Sequence, residues 1–247
     1  MIQFDAISQP VITPELALGP RGRGCEICIA TFSHKIHVHV LERFPCEKIA
    51  ELRGCNGPKP IYGLEYRGKR IAFYLSSVGS AMAGNDLIEA AWLTGANQFI
   101  FFGSAGCLNQ AATKGKFVLP AAAYRDEGMS YHYAPESDYI QMPGARKLTA
   151  IFDELRLPYV LGKTWTTDAF YRETQAKLQA RRAEGCLTVE MEAAGLQAVC
   201  DYYHYRLYQF LMTGDVLDLP EWERADLHEA NHRLDNFQIA LEIAARL

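Results

Sequence analysis

A single α/β domain is the fold class this sequence predicts, and three observations carry the prediction. Strand-length apolar runs alternate with helical patterns from one end of the chain to the other. No linker and no internal repeat divides them. Residues 98–102 run apolar after Gln98 without any polar alternation, as a central strand covered on both faces requires. With 247 residues, 49% hydrophobic and 22% charged, the chain can bury a sizeable core, and the domain is expected to span 1–247.

Residues 1–24 carry Pro10, Pro14, Pro20 and Gly19-Pro20-Arg21-Gly22-Arg23-Gly24, which predicts an irregular arm. Residues 25–31 form the first buried strand, and Ser33 is placed to cap a helix or turn running to Phe44. Apolar and polar residues alternate over 61–66 and again over 70–76, a hairpin around Arg67-Gly68-Lys69. Small residues from Val78 to Gly84 let a backbone approach a ligand before a helix over 86–94. Strand 98–102 ends at a turn, Gly103-Ser104-Ala105-Gly106, the position where open α/β sheets place ligands. A strand over 117–123, a polar and aromatic loop over 124–137, a helix over 148–155, a strand over 159–164 and a charged helix over 175–184 follow. Residues 186–189 then approach a helix of small apolar residues. A strand over 206–213 ends at Gly214-Asp215, and one amphipathic helix over 226–247 closes the chain.

Glu190 and Glu192 flank Met191 at the mouth of the small-residue helix. They read either as first-turn acids that stabilise the positive end of a helix or as carboxylates that bind a substrate. Phe170 reads as a core aromatic or as a face for stacking. Asp215 reads as a strand-end turn residue, helped by Asp218 and Pro220, or as an acid.

The run Val189-Glu190-Met191-Glu192-Ala193-Ala194-Gly195 resembles the signature of the nucleoside phosphorylase and nucleosidase superfamily. Gly103-Ser104-Ala105-Gly106, Gly128-Met129-Ser130-Tyr131-His132-Tyr133, Thr167-Asp168-Ala169-Phe170-Tyr171 and Gly214-Asp215 fall in that family's order. The resemblance implies a three-layer α/β/α fold around a central mixed sheet, a homo-oligomer, and an enzyme that cleaves N-ribosidic bonds. Such cleavage makes an oxocarbenium-like sugar, so the leaving base must be protonated, the ribose hydroxyls held and a nucleophile supplied.

On the resemblance, Asp215 is the general acid at a purine N7 and Glu192 accepts hydrogen bonds from the ribose hydroxyls. Met191 packs on the sugar, Phe170 stacks on the base, and Gly103, Ser104 and Glu190 bind substrate. His132 reaches a sugar or a neighbouring pocket. Inorganic phosphate is the expected co-substrate, with ribose 1-phosphate as product and no other cofactor. Phosphorylases of the family clamp phosphate with a Gly-and-Arg loop after the first strand and an Arg before the Gly-Ser turn. Here Ala30-Thr31-Phe32-Ser33-His34-Lys35 lacks that pattern, and Phe101 and Phe102 precede Gly103. Phosphate would then rely on Ser104, backbone N–H groups and bases such as Lys35, Arg67, Arg125 or Arg172. The alternatives are attack by water, as in the family's nucleosidases, and a member that binds a nucleoside without turnover. Gln175-Ala176-Lys177 is similar to the Gln-x-Arg by which uridine phosphorylases read pyrimidines, displaced by one residue and ending in Lys. Asp215 favours a purine, with uridine still open.

Composition narrows the partners. Lys and Arg number 25 against 29 Asp and Glu, a net charge of −4 with the signs interspersed, which points away from nucleic acid and toward small molecules. No run approaches about 18 apolar residues and Met1-Ile2-Gln3-Phe4-Asp5 does not open a signal peptide, so a cytoplasmic protein is expected, with no membrane partner. Seven scattered cysteines, including Cys55, predict reduced thiols. Cys25 and Cys28 are expected on opposite faces of a strand and His228 with His232 on an exposed helix, so no metal is expected.

Overall fold

A computed structural model describes residues 4–54, 57–218 and 222–247; Cys55, Pro220 and the first three residues lie outside these. The strands are β1 (Ile27–Thr31), β2 (Glu47–Gly54), β3 (Gly57–Tyr66), β4 (Lys69–Leu75), β5 (Gln98–Cys107), β6 (Phe117–Asp126), β7 (Tyr139–Gln141), β8 (Tyr159–Thr167), β9 (Cys186–Glu190) and β10 (Arg206–Val216). The helices are α1 (Pro14–Leu18), α2 (His34–Arg43), α3 (Ser80–Thr94), α4 (Gln110–Thr113), α5 (Ser130–Tyr133), α6 (Gly144–Glu154), α7 (Gln175–Ala183), α8 (Ala193–Tyr202), α9 (Leu227–His232) and α10 (Asp235–Arg246).

All ten strands join one mixed sheet flanked by helices. The period-two alternation of the central strands sorts the core. Ile27, Ile29, Ile71, Phe73, Ile100 and Phe102 face one layer, with Ile36 and Val40 of α2, Phe152 of α6 and Phe237 of α10. Cys28, Ala30, Ala72, Tyr74, Phe99 and Phe101 face the other, against Leu87 of α3 and Leu196 of α8. Ser33 caps α2 as its position predicts, its hydroxyl accepting the Ile36 N–H at 3.2 Å. The β3–β4 hairpin pairs Tyr66 with Lys69 across Arg67 and Gly68, both at positive φ.

The expected turn at Gly103-Ser104-Ala105-Gly106 is strand instead. β5 pairs in parallel with β1 over residues 98–102 and with β10 along its whole length, then turns antiparallel to β9 at Gly106 and Cys107. With β10 on β6, β6 on β8 and β8 on β9, five strands close into a ring. Glycine at 106 is what the closure demands, because a Cβ there would lie 2.6 Å from Leu217 and 2.9 Å from Val189. Gly214 and Asp215 likewise lie inside β10, although Asp215 was expected at a turn.

Other expectations change in detail. The helix expected to begin at 86 starts at Ser80, so the small residues 80–84 are its first turns. The N-terminal arm contains α1 and lies on its own chain, with Gly22 N–H bonded to Trp92 O and Trp92 Nε1 to Gly19 O. Cys25 precedes β1, so strand alternation does not govern it, and it packs in the same cluster as Cys28. The C-terminal helix is two helices, broken where Arg233 takes an extended conformation.

Candidate active site

Between residues 103 and 105, β5 has lost β1 on one side and has not yet met β9. That gap at the carboxyl ends of the strands opens into a cleft of about 890 Å³, a volume that suits a small organic ligand. Gly103, Ser104, Phe170, Glu190, Met191, Glu192 and Asp215 all line it. His132 does not: it is exposed on α5, away from the cleft, because α5 packs its other face on α8.

One end of the cleft is the β9–α8 junction, buried among backbone donors. Glu190 lies at the end of β9 and uses both oxygens on the protein. Its Oε2 accepts the Glu192 and Ala193 N–H groups at 2.8 and 2.7 Å, and its Oε1 accepts the Thr166 hydroxyl at 2.6 Å. It therefore caps the positive end of α8, which is the helix-stabilising role that the sequence allowed. Glu192 holds the N-cap position, and its Oε1 accepts the Gly79 N–H at 2.6 Å. Gly79 adopts φ +91, a left-handed conformation open to glycine, so the small-residue stretch before α3 approaches a carboxylate of the protein. Burial pushes Glu190 up to about 7 and, together with the charge of Glu190, pushes Glu192 up to about 8. A third buried carboxyl, Glu127, accepts the Ser130 N–H at 3.0 Å and is raised by burial as well.

The opposite end is open and aromatic. Phe170 begins a single 3₁₀ turn, Phe170–Arg172, and is half exposed, its ring 4.0 Å from that of Tyr171. Asp215 faces the same space from β10, its Oδ2 accepting the Trp222 Nε1–H at 2.8 Å. Glu173 follows the aromatic turn and is pushed up to about 7 by burial and by the negative charge of Asp215. Of the Gln175-x-Lys177 pair, Gln175 lines the cleft, whereas Lys177 turns away to Asp126 at 2.8 Å.

The third wall is built by α9. Ser104 donates its hydroxyl proton to Asn231 Oδ1, and Ser33 Oγ lies 2.7 Å from His232 Nδ1. His232 thus serves the cleft wall, where the sequence placed it on an exposed helix. Phe32 covers Gly103, whose hypothetical Cβ would lie 3.1 Å from that ring. Among the described residues, Arg224 is the sole Lys or Arg in this lining. Lys35 meets His228 at 3.2 Å, Arg67 pairs with Glu242 at 2.7 Å, Arg125 is buried against Ser130 and Pro135, and Arg172 is exposed outside the lining. No group of three or more His, Cys, Asp or Glu among the described residues is placed to hold a metal. No described helix is long and apolar enough to cross a membrane.

The sequence marks residues 165–172 as a candidate pocket segment, which includes Thr166 without giving it a role, and it misses Glu173, Trp222 and Asn231. Glu173 ends the aromatic turn and Trp222 lies in a late connection with no periodic pattern, while Asn231 sits on α9 within the expected amphipathic stretch, where nothing local marks its partner on β5.

Comparison with known proteins gives a consistent picture. The family model described as the phosphorylase superfamily matches residues 27–247. A DeoD-type purine nucleoside phosphorylase of Exiguobacterium sibiricum is 26% identical over 207 residues, 78% of this chain and 83% of that protein. One from Colwellia psychrerythraea is 26% identical over 180 residues, 72% of this chain and 76% of that protein. Among solved structures, the Campylobacter jejuni 5′-methylthioadenosine/S-adenosyl homocysteine nucleosidase superposes with a TM-score of 0.74 at 17% identity, covering 91% of this chain and all 100% of that one.

Proposed function

This chain belongs to the phosphorylase superfamily, and from that premise we propose that it cleaves the N-glycosidic bond of a purine nucleoside. The observation that carries the reading is the convergence of Glu192, Met191, Phe170 and Asp215 on one cleft from three separate segments. Glu192 accepts hydrogen bonds from the ribose hydroxyls, which are short and strong when the acceptor is ionised. Met191 packs on the sugar and Phe170 stacks on the base. The C1′–N9 bond breaks toward an oxocarbenium-like sugar, and Asp215 meets the base nitrogen that takes up a proton. Nothing in this scheme calls for a metal or an organic cofactor.

Phosphate is the acceptor that the names of the Exiguobacterium and Colwellia relatives suggest, giving ribose 1-phosphate, and Ser104, which lines the cleft, with the β5 backbone would receive it. A second reading, attack by water, rests on the Phe32 ring over Gly103 and on the Ser104 proton being given to Asn231. A dianion placed there finds one exposed guanidinium, that of Arg224, among four carboxyl side chains. Release of free base from a panel of nucleosides, with and without inorganic phosphate, tests both. Phosphate-dependent formation of ribose 1-phosphate supports the first, phosphate-independent release of ribose the second, and no cleavage of any nucleoside rejects the enzyme reading.

A further inference from the structure

Two carboxyl groups face the open end of the cleft, and their surroundings differ. Asp215 accepts the Trp222 indole N–H at 2.8 Å. Glu173 receives no hydrogen bond and no ion pair among the described residues. It is half-buried, held in place by its own N–H bonding to Phe170 O at 3.2 Å. Both line the one cleft, Glu173 from the end of the Phe170 turn and Asp215 from β10. A partly desolvated carboxyl with no donor beside it and a second carboxyl nearby is disposed to hold a proton.

We infer that Glu173 is a second catalytic carboxyl, which holds against the edge of the base the proton that the base takes up on leaving. The inference rests on the nucleoside reading and deepens it. The C1′–N9 electron pair passes to the base, and the Glu173 proton passes to N7, in the same space that Asp215 faces. The acceptor oxygen bonds to C1′ and releases its own proton to solvent, and solvent returns one to Glu173, so the enzyme ends as it began. Burial and Asp215 push Glu173 up to about 7, so the proton is in place below neutral pH and is lost above it. The other titratable or charged groups lining the cleft are Asp215, whose charge acts on Glu173, Arg224, Tyr171 on its own turn, His232 on α9, and Glu190 and Glu192 at the β9–α8 junction.

The test compares inosine with 7-methylinosine, whose cationic base departs without needing a proton. In Glu173→Gln, kcat/KM for inosine should fall by about a hundredfold, and its decline above neutral pH should vanish, while 7-methylinosine is cleaved nearly as before. An equal fall for both substrates, or no fall for either, overturns the inference. A second readout does not depend on turnover: infrared difference spectra of the unaltered protein minus E173Q at pH 6 should carry the carbonyl band of a protonated carboxyl, and its absence overturns the inference too. If the unaltered protein shows that band yet cleaves neither nucleoside, the nucleoside reading fails, and the catalytic assignment of Glu173 fails with it.

Discussion

At the β9–α8 end of the cleft, Glu190 and Glu192 are 6% and 7% exposed and held by backbone N–H groups; at the aromatic end, Phe170 is 50% exposed and Trp222 is 62% exposed. The first end is fixed before any ligand arrives, since a buried carboxyl that lost its donors would carry the full desolvation cost. The second end has surface left to cover, so a stacked base would gain there by removing apolar area from water. The difference teaches where recognition resides. On the proposed reading, the invariant part of a nucleoside, its sugar, would meet the rigid end, and the variable part, its base, the adaptable one.

The sharpest way to break this contrast is at Glu190. Glu190→Ala strips three donors of a buried acceptor, and a loss of about 3 kcal/mol is expected from the urea midpoint. A loss below about 1 kcal/mol would mean that the junction is not held as described. Above pH 8, where its carboxylate is ionised, Glu192→Gln should fold normally yet lower kcat/KM by about a hundredfold, because charge-assisted hydrogen bonds to both hydroxyls are weakened together. Full activity in a 2′,3′-dideoxynucleoside assay would show that no such bonds exist.

The buried acids also make a pH prediction. Their folded values of about 7 and about 8 exceed the ordinary 4.5, so between these the folded chain binds more protons than the unfolded one. Their stabilising contribution is complete below pH 4.5 and disappears as pH rises through 7 to 8. The melting temperature should accordingly fall from pH 5.5 to 8.5, and fall less in E192Q; equal slopes would refute the coupling. Phe170→Ala should raise KM by roughly tenfold with little change in stability, read from steady-state kinetics and thermal melting. Trp222→Phe should have the smallest effect, a few-fold loss of kcat/KM with the loss confined to substrates whose base must be protonated.

Much of this was legible in the sequence. The Ser33 cap, the hairpin at Arg67-Gly68 and the burial of strand 98–102 on both faces follow from local patterns and are as expected. The closing ring was not legible, because Gly103-Ser104-Ala105-Gly106 has the composition of a turn and becomes strand through partners far away in sequence, β10 and β9. For the same reason, Glu190 and Glu192 could be placed together at a helix mouth, but not told apart. Which acid serves the helix and which faces the cleft depends on Thr166 and Gly79, contributed by other segments. Glu173 and Asn231 gave no local signal at all, since their meaning lies only in what stands across the cleft.

The pairing of β5 with β10 has a consequence for the order in which the protein comes into being. Gln98 meets Arg206 and Ser104 meets Met212, and α9, which walls the cleft through Asn231 and His232, lies later still. A nascent chain can pair β1 to β4 and pack α2 and α3 on them before β10 is made, but its cleft has neither a closed ring nor a third wall. The cleft is complete only once α9 has emerged from the exit tunnel, so synthesis that stops before Asn231 yields a partly paired sheet with the cleft unwalled.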